Sequence, residues 1–391
     1  MLRYFNILFI VFSFVFCNPA ESQTQVKTGA ELTNTYLSLL SEKRIGIIAN
    51  QTSLINSTHL VDSLLSLKVN VRKIFSPEHG FRGDADAGEH VKSYKDKKTG
   101  IEVVSLYGDM KKPKKEVLDE IDLMIFDIQD VGVRFYTYTT TMHYVMEACA
   151  EHNVPFLILD RPNPNGFYVD GPVLDMKYSS FVGMHPVPLV HGMTIGEYAK
   201  MINEEGWLKN GVKCNLQVIP CENYTHKTLY HLPVKPSPNL PNMTAIYLYP
   251  VLCLFEGTVI SVARGTDFPF QAIGHPSLIN SKFFFTPTSK PGAKNPSYKG
   301  KKCFGYDFRN NGTAYFLQNK KLNLQILIDT YKNLKDRVKF FTSFFTKLAG
   351  NITLRKQIEA GVIEADIRKS WEKDLEQFKN IRKKYLLYED F

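Results

Sequence analysis

Five short polar clusters hold the residues of this sequence best suited to breaking bonds. They are Asn50-Gln51-Thr52-Ser53; Ser76-Pro77-Glu78-His79-Gly80, continuing through Arg82 and Asp84 to Glu89-His90; Asp127-Ile128-Gln129-Asp130 with Arg134, Tyr136 and Tyr138; Asp160-Arg161-Pro162-Asn163; and Arg264-Gly265-Thr266-Asp267. Carboxylates, arginines, amides and aromatic rings dominate them. Glycoside cleavage draws on that set, because one carboxylic acid protonates the leaving oxygen and a second carboxylate acts as base or nucleophile. Amides and arginines would hold hydroxyl, N-acetyl or acid groups, and tyrosine rings would stack on a sugar face. Other chemistries lack their motifs. Neither G-x-G-x-x-G nor G-x-x-x-x-G-K-[ST] occurs, which counts against nucleotide binding, and G-x-S-x-G and H-E-x-x-H are also absent. His79, Asp84, Asp86, Glu89 and His90 crowd acids and imidazoles together, but at the spacing of no known metal loop, so no metal is expected.

The elements before these clusters give them a common position. Near-continuous apolar runs at 44–49 (RIGIIA), 69–75, 121–126 and 154–159 predict strands buried on both faces of a parallel sheet, and 258–263 predicts another. Helical spacing over 139–152 places Met142, Val145, Met146 and Cys149 on one side. A second helix is predicted at 194–206, opened by Thr194 with Glu197 three residues on, a capping box. Alternating strands and helices make a doubly wound α/β fold, in which ligands bind beyond the carboxyl ends of the strands. All five clusters are then expected along one sheet edge. Residues 162–166 and 236–241 are rigid Pro/Asn turns. From about Gly274 the texture becomes loops rich in Pro, Lys and aromatics. A helical tail at 366–385 follows, with Ile367, Trp371, Leu375 and Phe378 on one face. The expected division is a leader at 1–22, a catalytic domain at 23–273 and a smaller α/β domain at 274–391 closing a cleft.

The 391 residues, 44% hydrophobic and 22% charged, are ordinary globular composition. The net charge of +9 favours anionic partners such as an acidic sugar. The lysines are scattered or sit in short mixed runs, as at 111–115, so no nucleic-acid stripe is expected. Arg3, the apolar run at 4–16 and the exit Ala20-Glu21-Ser22 form an export leader too short to span a bilayer. Cys17, as a lipid attachment point, is the alternative reading. No later segment is apolar enough to cross a membrane. Of the other five cysteines, Cys214 and Cys221 are a pairing option; separate buried thiols are the other.

The sequence resembles the exo-β-N-acetylmuramidases of the NamZ family. The resemblance rests on 76–83 (SPEHGFRG) with Ala87-Gly88-Glu89, on 126–138 (FDIQDVGVRFYTY) and on Asp160-Arg161-Pro162-Asn163-Pro164. Further matches are His185-Pro186-Val187-Pro188, 191–197, 238–241, Arg264-Gly265-Thr266, Leu348-Ala349-Gly350 and Trp371. It covers nearly the whole chain after the leader, and the 126–138 segment is its most specific part. It implies a Rossmann-like large domain, a small second domain and a cleft between them. The implied activity is release of N-acetylmuramic acid (MurNAc) from the non-reducing end of peptidoglycan fragments such as MurNAc-GlcNAc, in wall turnover and recycling. It implies no cofactor.

Glu78 is the first candidate for the catalytic carboxylate. The residues alone leave catalysis and a capping or ion-paired role equally open, and the resemblance favours catalysis. Burial and neighbouring carboxylates would keep it protonated, as a general acid requires. Glu89 is a weaker candidate, as partner of Glu78 or ion pair of Arg82. Of Asp127 and Asp130, one would assist chemistry or grip a hydroxyl and the other cap or orient. Arg134 is expected on the acid or N-acetyl group of the substrate, or in an ion pair with Asp130. Tyr136 and Tyr138 would stack on or bond the sugar, or pack; Arg264 is expected on the lactyl carboxylate. Asn50, His79, Arg82, Gln129, Asn163 and His191 complete the expected sugar contacts, although a structural role for His185 and His191 fits their Pro-rich turns better. An esterase or amidase using Ser76 and His79, and a non-catalytic wall-binding protein, are the competing functions.

Overall fold

The structure, a computed structural model, describes residues 25–82, 89, 92–278, 281–310 and 312–391. The expected leader, Cys17, Asp84, Asp86 and His90 therefore lie outside the described residues.

Six parallel strands form the main sheet: β1 (Ile45–Ala49), β2 (Val71–Ser76), β3 (Glu102–Ser105), β4 (Leu123–Asp127), β5 (Phe156–Leu159) and β6 (Leu216–Ile219). They lie in the order β3-β2-β1-β4-β5-β6, and the short segment Tyr94–Lys95 pairs antiparallel outside β3 as a seventh strand. This is the Rossmann order, whose chain reversal between β1 and β4 opens a crevice above the sheet.

The apolar runs are continuous because alternate residues feed two different cores. On β4, Met124 and Phe126 enter the layer containing helix α2 (Tyr138–Glu151), while Leu123 and Ile125 enter the layer containing Leu60, Val61 and Leu64 of helix α1 (Leu60–Ser66). On β5, Phe156 and Ile158 divide from Leu157 and Leu159 in the same way. Each fully buried side chain of this kind contributes roughly 1.5–3 kcal/mol of transfer free energy. Helix α3 (Ile195–Glu204) begins as read: Thr194 Oγ1 accepts from Glu197 N at 3.3 Å and Glu197 Oε2 accepts from Thr194 N at 2.9 Å.

Helix α4 (Met243–Leu252) is buried along its length from Ala245. It leads to a smaller part built on an antiparallel sheet of β7 (Ala272–His275), β8 (Phe283–Phe285) and β9 (Cys303–Asp307). Around it lie α5 (Leu324–Asn333), α6 (Phe344–Ala349), α7 (Glu364–Lys369) and α8 (Glu372–Arg382). Leu327, Phe345, Leu348, Trp371 and Phe378 belong to the same apolar cluster as Phe126 and Met142, so the two parts share one core. Among the described residues no helix is long and apolar enough to cross a membrane.

Two expectations change. The 258–263 strand does not form; the segment makes only isolated bridges, Thr258 to Phe341 and Ser261 to Gly274. Its own hydroxyls divert the backbone: Ile260 N donates to Thr258 Oγ1 at 3.0 Å and Ala263 N to Ser261 Oγ at 3.2 Å, and Ala263 turns to φ 58°. The helix expected at 366–385 is broken between α7 and α8 at Ser370-Trp371, although Ile367, Trp371, Leu375 and Phe378 are all buried as expected. Of the two readings open for Cys214 and Cys221, the structure shows separate, buried, free thiols.

Candidate active site

Above the β1/β4 reversal lies a cavity of about 350 Å³. The loop after β2 supplies Glu78 and His79, and the loop after β4 supplies Phe135, Tyr136, Thr137 and Tyr138. More of the lining comes from much later in the chain: Tyr249 on α4, then Cys253, Glu256, Arg264 and Phe270.

Glu78 sits in a tight turn. Gly80 N donates to Pro77 O at 3.0 Å, and His79 takes φ 71°, a left-handed conformation that swings the chain away immediately after the carboxylate. Thr137 Oγ1 donates to Glu78 Oε2 at 2.8 Å, which ties the β2 loop to the β4 loop. The Tyr107 hydroxyl also bonds Glu78; burial first and the Glu78 charge second push that phenol up to about 12, so it stays a proton donor at neutral pH. Tyr136 and Tyr138 direct their hydroxyls to Pro236 O, at 2.9 and 3.3 Å, and burial raises both phenols. Their rings, edge-on to each other at 4.8 Å, remain as apolar cavity wall.

Glu256 was not anticipated. It is the second carboxylate in the cavity, held by Arg264 Nε at 2.8 Å, with Cys253 Sγ at 3.6 Å from its other oxygen. A signal was present: Glu256 is the sole charged residue between Ala245 and Ala263, a lone acid in an apolar stretch. Arg264 lies over the Phe270 ring at 5.0 Å. Burial lowers its pKa, but the charge and hydrogen bond of Glu256 outweigh that and the net shift is upward. Its Nη1 is buried and has no hydrogen-bond partner among the described residues.

Several expected site residues are elsewhere. Asp127 is wholly buried beneath the cavity and paired with Arg161, Nε to Oδ1 at 2.6 Å and Nη2 to Oδ2 at 2.9 Å, so it supports the loops without reaching the cavity. Gln129 spends its amide on the carbonyls of Asp130 and Pro162, and Asn163 bonds Met193 O and Asn165 N. Asn50 is buried, its Oδ1 accepting from Thr52 N at 2.9 Å. Glu89 pairs with Lys294 at 3.0 Å, and Arg82 pairs with Asp96 instead. His191 is buried, accepts from Met193 N, and is driven down to about 3 by burial and then by Arg382 and Arg134, so it stays neutral. Ser76 is buried and lies outside the cavity lining, so the Ser76–His79 pair of the esterase reading does not meet in the cavity.

Arg134 has a third role. Its Nη1 donates to Pro172 O at 2.8 Å and Val187 O at 2.7 Å, and its Nη2 to Leu348 O at 3.0 Å. It thus caps the C-terminal end of α6 and fastens the second part to the first, with neither Asp130 nor the cavity involved. Gly350 makes room for it: at φ 78°, a Cβ there would lie 2.4 Å from Arg134 Nη2.

Asp130 is likewise structural. Oδ2 accepts from Gly132 N at 2.6 Å, Oδ1 has no hydrogen-bond partner among the described residues, and burial raises the carboxyl to about 7. A carboxyl raised by folding favours the native state below its unfolded pKa near 4, and that stability is lost as pH climbs towards 7. Asp130→Asn is therefore expected to stabilise the protein at pH 8 relative to pH 5, on the order of 2 kcal/mol. Urea midpoints at the two pH values check this; an unchanged difference would rule out Asp130 as its source. Asp160, raised by burial to about 6, contributes with the same sign, so the variant shrinks the pH dependence without abolishing it.

The chain matches two family models: "Exo-beta-N-acetylmuramidase NamZ, N-terminal" over residues 45–244 and "Exo-beta-N-acetylmuramidase NamZ, C-terminal" over 247–388. It belongs to the NamZ family. The junction of the two matches falls at the start of α4, and the cavity lies between the matched stretches. The peptidoglycan beta-N-acetylmuramidase NamZ of Bacillus subtilis is 40% identical, across 95% of this chain and 93% of that protein. A DUF1343 family protein from Bacteroides fragilis, known as a crystal structure, is 50% identical with a TM-score of 0.88, covering 94% of this chain and 100% of its own. A second DUF1343 protein of that organism is 28% identical with a TM-score of 0.74, covering 93% and 99%.

Proposed function

We propose that this protein is an exported exo-β-N-acetylmuramidase that hydrolyses terminal MurNAc from peptidoglycan fragments in wall turnover and recycling. The observation that carries the chemistry is the pair Glu78 and Glu256, two carboxylates lining one aromatic-rich cavity. Glu78, set among hydroxyl donors, gives its proton to the glycosidic oxygen as the C1–O bond breaks. Glu256, set against a guanidinium, is the carboxylate that faces the developing positive charge at C1 and receives a proton from the attacking water by the end of the cycle. The rings of Tyr136, Tyr138 and Phe270 offer the apolar surface a pyranose needs. Export rests on the leader at 1–22, and Cys17 remains the site a lipid would use. The deciding assay incubates purified protein with MurNAc-GlcNAc and follows free MurNAc; tight binding of the disaccharide without turnover would leave a wall-binding protein.

Arg264, which lines the cavity and pairs with Glu256, is the cation we assign to the lactyl carboxylate. Arg264→Lys keeps a cation for Glu256 but loses the second arm, so KM for MurNAc glycosides is expected to rise roughly tenfold with kcat little changed. A substrate whose lactyl acid has been reduced to the alcohol should show no such rise; an equal rise on both would take the lactyl contact away from Arg264.

A further inference from the structure

Beside the cavity runs a groove of about 900 Å³, and His79 lines both. Its charge is opposite. The cavity lining carries Glu78 and Glu256 against Arg264, whereas the groove sets five cations against Glu89 and Asp96. Three of those cations are committed: Arg82 to Asp96 at 3.0 Å, Lys98 to Asp62 at 2.6 Å and Lys294 to Glu89 at 3.0 Å. The remaining two, Lys95 and Lys97, are exposed and make no ion pair among the described residues. A lysine run on a turn is ordinarily a solvated face. Here the run lines a concave surface that adjoins the catalytic loop.

An exo-acting glycosidase holds the terminal sugar in its cavity, and the rest of the chain must leave along an adjoining surface. In a glycan where every second sugar bears a lactyl acid, the next carboxylate lies two sugars out. We propose that the groove is the binding site for this leaving portion, with Lys95 and Lys97 attracting the carboxylate of the next acidic sugar and of any peptide attached to it. The proposal rests on the muramidase reading and extends it to longer, more acidic substrates. Exposed charges of this kind act on capture and are screened by salt.

The test compares kcat/KM for MurNAc-GlcNAc and for the tetrasaccharide MurNAc-GlcNAc-MurNAc-GlcNAc, in the wild type and in the double variant Lys95→Glu, Lys97→Glu. The variant is expected to lose roughly tenfold on the tetrasaccharide and less than about twofold on the disaccharide. Added KCl should erode the wild-type advantage on the tetrasaccharide and leave the disaccharide unaffected. Equal losses on both substrates, or none on either, would overturn the groove assignment. A wild type that turns over neither substrate would instead overturn the muramidase reading.

Discussion

Glu78→Gln is expected to lower kcat on MurNAc-GlcNAc about a thousandfold, the usual scale for losing a general acid and equivalent to about 4 kcal/mol of barrier. Glutamine keeps the shape, and its carbonyl still accepts from Thr137 Oγ1, so KM should stay within a factor of about three. Leaving-group dependence separates proton donation from packing. An aryl MurNAc glycoside whose phenol is already a good leaving group needs little protonation, and its rate should fall far less. Equal losses on the two substrates would show that Glu78 holds the site together without donating the proton. Full activity of the variant on the disaccharide would remove it from the mechanism.

The largest loss of stability is expected from Arg161→Met. Asp127 and Arg161 form a bidentate ion pair with neither partner open to solvent, and Arg161 Nη2 also donates to Leu54 O at 3.0 Å. Removing the guanidinium leaves a carboxylate buried at the end of β4 with its principal counter-charge gone, at a cost of about 3–5 kcal/mol. Burial already raises Asp127 even with Arg161 present. Without that partner it would be held neutral more strongly, so the deficit should be small in acid, below the unfolded carboxylate pKa, and grow as pH rises. Denaturant midpoints at pH 5 and pH 8 measure this. Adding Asp127→Asn should recover most of the loss. A deficit independent of pH, or no recovery in the double variant, would show that the lost side-chain packing matters and the stranded charge does not.

Apolar runs ending in polar clusters were enough to locate β1, β2, β4 and β5 and to identify the rim on which a ligand would sit, because strands buried on both faces announce themselves locally. Glu78 and the tyrosines after β4 were legible for the same reason: they follow such runs directly. What remained hidden was the partition of polar residues between chemistry and support. Asp127 and Arg134 carry the same functional groups as Glu78 and Arg264, and only their burial and partners show that they brace the loops. The later residues of the lining were also illegible. Glu256 lies 178 positions after Glu78, and it comes to the same cavity because the apolar core continues from the sheet into the second part. Hydrophobic periodicity specifies which face of an element is buried. Which distant carboxylate ends up in the same cavity depends on how the buried faces pack against one another, and no local pattern encodes that.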